Sequence, residues 1–176
     1  MKSIYDLLLD WHQIDPNFIF LRENRPYTLN EVVHEVESIS KSLSYLSSEN
    51  IAIYLSSKLD FILVYLACIN SNKIPILLKT TWGKDEVDLI IDSNNIKHII
   101  CSWDSRHLFK NSINTYYLEE LVNSSKGCGI PQHTNNRKKY ETVIFTSGSS
   151  GEPKGVCLKR SNFKASAQSW NKQINF

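Results

Sequence analysis

The sequence predicts a layered α/β domain with a largely parallel sheet flanked by helices, and three observations carry that expectation. Short apolar runs rich in β-branched residues, "NIAIYL", "KIPILL" and "IKHIIC", are spaced along the first hundred residues. The segments between them place apolar residues at helical spacing. Strand alternating with helix is the pattern of βαβ units, whose crossovers make the strands run parallel.

The elements follow in chain order. "MKSIYDLLLDWHQID" predicts an amphipathic first helix; Asp6 and Asp10 inside its apolar run are wrong for a secretory signal. From Thr28, "TLNEVVHEVESISKSL" opens on a capping box, Thr28 with Glu31, and continues with apolar residues at 29, 32, 33, 36, 39 and 43. "NIAIYL" predicts a buried strand, and the apolar stretch after Ser56 a buried helix ending near Asn70 to Asn72. Its longest run, "FILVYLACI" from Phe61 to Ile69, is too short to cross a bilayer as a helix. "KIPILL" predicts the next strand. "GKDEVDLIIDSNN" puts Val87, Ile90 and Ile91 on one helical face, and "IKHIIC" predicts another strand. Residues 123–139, "NSSKGCGIPQHTNNRKK", form a polar tract with Gly, Pro and Asn, expected to be an exposed connection. "YETVIF" and "GVCL" predict two further strands, and a final helix is expected from Ser161.

Composition bounds the function. The 176 residues suit one domain, 41% apolar and 22% charged with a net charge of +2, an ordinary globular balance that does not point to nucleic acid. Cys68, Cys101, Cys128 and Cys157 are widely spread with no C-x-x-C pair, so reduced packing cysteines, a cytoplasmic location and no zinc are expected. Charge is unevenly shared: residues 1–125 hold 11 Lys and Arg against 16 Asp and Glu, residues 126–176 hold 9 against 2. A basic segment suits phosphate ligands, or else simply a solvated face or weak nucleic-acid contact.

That basic segment contains "FTSGSSGEPKGV", Phe145 to Val156. A linker of this composition joins domains and is rarely set between two strands. A Walker phosphate loop needs G-x-x-x-x-G-K-[ST], whereas Gly148 and Gly151 stand three apart and Lys154 follows Pro153. A serine nucleophile on this turn would need a lysine partner in a second glycine- and serine-rich segment, and the chain has no convincing one. An anion nest meets no such objection. Gly148 and Gly151 can take positive φ and turn successive backbone N–H groups to one point. Thr146, Ser147, Ser149 and Ser150 add hydroxyl donors, and Lys154 adds a positive charge on a long stem.

With those residues in view, the stretch resembles the phosphate-loop signature of the AMP-forming acyl-adenylate synthetases, the superfamily of acyl-CoA synthetases, peptide-synthetase adenylation domains and firefly luciferase. The family pattern is an aromatic residue, Thr-Ser-Gly, Ser or Thr, Thr, Gly, any residue, Pro-Lys-Gly-Val; this chain departs mainly at Ser150, which keeps the hydroxyl of the usual threonine. "RPYTLNEVVHEVESISKSL" and the passage from Ile69 to Cys101 resemble the family's upstream segments more loosely. "LKRSNFKASAQSW" faintly resembles o-succinylbenzoate-CoA ligases.

The resemblance implies that residues 1–176 form the front part of the family's large amino-terminal domain. It implies a reaction in which a carboxylic acid attacks the α-phosphorus of ATP with Mg²⁺ assistance, and coenzyme A then takes the acyl group. Thr146, Ser147, Gly148, Ser149, Ser150, Gly151 and Lys154 would grip the β and γ phosphates, Lys154 acting as the catalytic cation. The family's acidic Mg²⁺ ligand, ribose-binding aspartate and carboxy-terminal lysine find no counterpart within 176 residues. The expectation is therefore an amino-terminal fragment or truncated member that is inactive alone, or else a non-catalytic nucleotide-binding module or structural remnant. No nucleic-acid partner and no membrane span are expected.

Overall fold

The computed structural model describes residues 2–109, 113–123, 140–147 and 153–174. Helix α1 (Ile4–Ile14) starts where Ser3 caps it: the Ser3 hydroxyl accepts the Asp6 N–H at 3.0 Å and the Asp6 carboxylate accepts the Ser3 N–H at 2.6 Å. It buries Tyr5 and Leu8 against α2 (Leu29–Ser44) and α3 (Lys58–Asn70). An antiparallel hairpin that the sequence reading did not anticipate, β1 (Ile19–Arg22) and β2 (Pro26–Thr28), leads into α2. The anticipated capping box is present: the Glu31 carboxylate accepts the Thr28 N–H, and the Thr28 hydroxyl accepts the Glu31 N–H. That backbone hydrogen bond, with Arg25 beside it, holds the Glu31 carboxyl below the usual range.

The main sheet has six strands in the order β6-β5-β3-β4-β7-β8. They are β3 (Asn50–Tyr54), β4 (Ile74–Leu77), β5 (His98–Cys101), β6 (Asn114–Tyr117), β7 (Thr142–Ser147) and β8 (Pro153–Leu158). All neighbours pair in parallel except β7 and β8, which form an antiparallel edge hairpin. The expected α/β architecture is therefore observed. Helix α4 (Lys84–Ser93) links β4 to β5, a 3₁₀ turn (Trp103–Leu108) follows β5, and α5 (Leu118–Asn123) follows β6. Helix α6 (Arg160–Ile174) follows β8 and is exposed along almost its whole described length.

Strand β3 shows how one pattern feeds two cores. Ile51, Ile53 and Leu55 face α1, α2, α3 and α5, while Ala52 and Tyr54 face α4, so both sides of the sheet are covered and the run has no polar position. Helices α3 and α4 thus lie on opposite faces although they follow adjacent strands.

Both helices end in the same device. Asn72 (φ 58°) and Asn95 (φ 48°) take the left-handed conformation one residue past the helix cap. Behind each, the N–H groups fold back: Lys73 donates to the Cys68 carbonyl at 2.7 Å and Asn72 to Ile69 at 3.3 Å, Ile96 to Ile91 at 3.0 Å and Asn95 to Asp92 at 3.3 Å. This is the Schellman arrangement, with asparagine tolerating the conformation that glycine usually supplies. It turns the chain directly into β4 and β5.

At the amino-terminal edge of the sheet, His98 is buried and its Nδ1 shares a hydrogen bond of 3.1 Å with the Tyr116 hydroxyl. Buried Lys73 stands nearby and donates its ammonium to the Leu46 carbonyl. Burial, and then the Lys73 charge, push the His98 imidazole below its ordinary value. The unfolded chain therefore binds the proton more readily, and the His98 contribution to stability is fully present above about pH 6.5 and declines as pH falls through that value toward the lower folded one. Urea unfolding between pH 5 and 8 should show a loss on acidification that is shallower in His98→Gln; identical slopes in the two proteins would contradict it.

Candidate functional site

In an open parallel sheet, ligands bind outside the carboxyl ends of the strands, where the chain leaves adjacent strands toward opposite faces. Here that point lies between β3 and β4, with the turn after β4 beside it and the carboxyl end of β7 one strand away. Tyr54, the last residue of β3, is buried in its ring, and its hydroxyl is within hydrogen-bond reach of the Thr80 carbonyl at 3.0 Å and the Trp82 carbonyl at 3.2 Å. Burial raises the Tyr54 phenol above its ordinary value, so it stays protonated as a donor. The Trp82 N–H donates to the Lys79 carbonyl at 3.2 Å, closing residues 79–82 into a turn.

The side chains of that turn lie against β7. The Trp82 ring meets Phe145 edge-on at 6.2 Å between centroids, and the Lys79 ammonium sits 5.4 Å above the Trp82 ring. Phe145 pairs with Gly155 across the hairpin. A Cβ at Gly155 would stand 3.3 Å from the Phe145 ring and 3.6 Å from Val143, so the absent side chain is what lets the ring lie flat over β8. Trp82, Phe145 and Gly155 form one packed column.

The hairpin brings the ends of the sequence motif together. Thr146 pairs directly with Lys154 and Ser147 with Pro153, and the Thr146 hydroxyl reaches the Lys154 carbonyl at 3.5 Å. Thr146 and Lys154 are exposed. The expectation of a loop running from Thr146 to Lys154 is corrected at both ends, since Thr146 and Ser147 are strand residues of β7 and Pro153 and Lys154 are strand residues of β8. The reason is the ladder: β-branched Thr146 continues the "TVIF" run, and proline is accepted at the first position of an edge strand because its missing N–H costs no pairing there. Gly148, Ser149, Ser150 and Gly151 lie outside the described residues, as does most of the polar tract at 123–139.

The base of the hairpin is tied to the core by polar contacts. The Glu141 N–H donates to the Leu158 carbonyl at 2.7 Å, and the buried Glu141 carboxylate accepts from the Arg160 Nε at 3.3 Å. Next to it, the Thr142 hydroxyl and the Tyr65 hydroxyl share a hydrogen bond of 3.0 Å that joins β7 to α3. The exposed Thr146 and Lys154 therefore stand on a base tied to the core. Sequence reading missed Tyr54, Lys79 and Trp82; the one signal that could have flagged them is the "KTTWG" turn immediately after a predicted strand.

Among the described residues, no group of three His, Cys, Asp or Glu side chains is placed to hold a metal ion, and no helix is long and apolar enough to cross a membrane. Cys68 and Cys101 are buried and in no disulfide, and burial pushes the Cys101 thiol up to about 12, which makes it inert at neutral pH. Cys157, on β8, is free and exposed.

Comparison with known proteins bears on this geometry. The chain is 28% identical over 171 residues to a 2-succinylbenzoate–CoA ligase of Bacillus cytotoxicus, an alignment that covers 95% of this chain and 35% of the relative. A 2-succinylbenzoate–CoA ligase of Bacillus cereus is 26% identical over 148 residues, covering 82% of this chain and 30% of the relative. The chain thus spans about a third of the length of these relatives. Among solved structures, the o-succinylbenzoate coenzyme A synthetase of Bacillus subtilis in complex with ATP and magnesium ion superposes with a TM-score of 0.83 at 19% identity, over 99% of this chain and 48% of that one. That likeness is one of fold, and it extends through the hairpin. The model of the family described as AMP-binding enzyme matches residues 10–176, nearly the whole chain, and the protein therefore belongs to that family.

Proposed function

We propose that this chain supplies the phosphate-gripping part of an ATP-dependent, AMP-forming carboxylate–CoA ligase. The observation that carries the reading is the direct pairing of exposed Thr146 with exposed Lys154 where a hairpin reaches the carboxyl end of a largely parallel sheet. The pairing sets a hydroxyl and an ammonium side by side at the mouth of the segment whose glycines and serines match the family's phosphate loop. In the reaction, a carboxylate attacks the α-phosphorus of ATP, the bond to the pyrophosphate oxygen breaks, and the negative charge accumulating on the leaving group is what donors and cations must stabilise. Thr146, Ser147, Gly148, Ser149, Ser150, Gly151 and Lys154 are the residues we assign to that task.

The parent reaction would use Mg²⁺ with ATP, and coenzyme A as the acyl acceptor. The family resemblance to 2-succinylbenzoate–CoA ligases supports a carboxylic acid substrate of that kind, and buried cysteines in no disulfide suit the reducing cytoplasm. With about a third of the relatives' length, this chain is read as an amino-terminal portion and is not expected to complete catalysis alone.

Titration of the 176-residue chain with ATP, followed by amide NMR, tests the assignment. The amide signals of residues 146–154 should move first and furthest. Shifts concentrated elsewhere, or none at millimolar ATP, would defeat it, and acyl-CoA formation by this chain alone would overturn the expectation of inactivity.

A further inference from the structure

We propose that copies of this chain associate through two unlike helix faces, the acidic apolar face of α1 in one copy packing on the basic apolar face of α6 in another.

Each helix leaves a stripe of apolar residues in water. On α1, Leu7, Trp11 and Ile14 follow one another at intervals of four and three residues, which sets them on one face, and they are 57%, 45% and 81% exposed. Phe18, just past the helix, extends the stripe, its ring 4.6 Å from that of Trp11. Tyr5 and Leu8 occupy a different face and already pack against α2 and α3, so the fold of the chain leaves this second stripe uncovered. On α6 the same intervals recur in Phe163, Ala167 and Trp170. Phe163 is half-buried, Ala167 is exposed and Trp170 is 61% exposed. Single apolar side chains on a surface are ordinary, whereas a stripe at helical spacing is what a helix presents to a partner.

Charge selects which stripe meets which. The α1 stripe is flanked by Asp6, Asp10 and Asp15. Asp10 is paired with Lys2 at 2.6 Å, while the carboxylates of Asp6 and Asp15 accept backbone N–H groups, which do not cancel their charge. The α6 stripe is bordered by Lys164, and α6 has no acidic residue. Packing α1 on a second α1 would set acid against acid, and packing α6 on a second α6 would set lysine against lysine. Only α1 against α6 brings unlike charges together around an apolar centre. The whole chain is divided in the same sense, with acid in excess before residue 126 and base in excess after it.

A contact of two helix faces is smaller than the roughly 800 Å² per partner of a standard interface, so association on the order of 100 µM is expected. Sedimentation velocity of the intact chain, run up to about ten times that concentration, tests the proposal, with circular dichroism confirming that each variant is folded. Trp11→Gln and Trp170→Gln should each weaken self-association by about tenfold or more, and Ile14→Gln, at a position without the Phe18 contact, should act like Trp11→Gln. An equimolar mixture of Trp11→Gln and Trp170→Gln should associate more tightly than either variant alone, because only the mixture brings together an unmodified α1 and an unmodified α6. Raising salt to about 500 mM should weaken the association of the unmodified chain. If the α1 variants dissociate the chain while Trp170→Gln does not, or the reverse, the contact joins two like faces and the proposal fails. It fails equally if the mixture associates no better than its components, if no variant has an effect, if salt leaves the association unchanged or strengthens it, or if the unmodified chain is monomeric throughout.

Discussion

Replacing Ile53 by alanine lowers the stability of the domain by about 3 to 4 kcal/mol. Ile53 is fully buried in β3, the strand flanked by β4 on one side and β5 on the other. Its backbone neighbours are Leu77 and Ile100, and its own carbonyl accepts the Leu78 N–H, so the strand is tied on both edges. Its side chain lies in the cluster formed with α2 and α3, which pack on each other and on the sheet. A cavity opened there cannot close by moving the strand without breaking two ladders, and the helices would have to shift together. The cost therefore stays above the low end of the roughly 2 to 5 kcal/mol range for such truncations, and it is a large share of the roughly 5 to 15 kcal/mol that holds a domain together. Leu7→Ala, at a position 57% exposed on α1, serves as the control and should change stability by less than about 0.5 kcal/mol. Urea midpoints for the two variants measure the contrast, and near-equal midpoints would mean that Ile53 does not sit in a close-packed core.

The residues that made β3 recognisable in the sequence are the same ones that make Ile53 costly to remove. A run with no polar position, bounded by Asn50 and the Ser56–Ser57 pair, fits a strand covered on both faces. Helices α1 to α4 were legible for a similar reason: the apolar runs of α1 and α3, the capping box at Thr28, and apolar spacing at Val87, Ile90 and Ile91 are local signals, whereas the caps at Ser3 and Ser57 emerged only with the structure. What was not legible is short or defined by a distant partner. "PYT" becomes β2 only because Ile19 to Arg22 lies beside it, and "NTYY" becomes β6 only by pairing with β5, its tyrosines partly buried there. Six-residue α5 has too few positions to display a period.

The site divides in the same way. Thr146 and Lys154 belong to a contiguous motif, so a stretch of nine residues was enough to associate them, and the register of the hairpin then set them face to face. Trp82 and Phe145 are 63 positions apart in number and meet only because β4 and β7 are neighbours, a pairing that skips β5 and β6 in chain order. No periodicity within either segment encodes that adjacency.

Lys154→Ala should weaken ATP binding by roughly tenfold to a hundredfold while leaving the thermal midpoint almost unmoved. The first part follows from the strength of a charge-assisted contact to phosphate, about 1.5 to 3 kcal/mol, in a site reached by solvent. The second follows from position: Lys154 is exposed near the start of an edge strand, its ladder contacts are made by the backbone, and alanine keeps them. The two readouts together separate a ligand contact from a structural one. A solvated surface charge with no phosphate partner would leave both binding and midpoint unchanged. A residue that held the hairpin together would lower the midpoint along with the affinity. Only loss of affinity at constant stability fits a cation that points at the phosphates, and salt should reinforce the distinction, because raising ionic strength weakens the unmodified chain toward the variant while the variant itself responds less steeply. Equal affinities for ATP at low salt in the two proteins would remove Lys154 from the site.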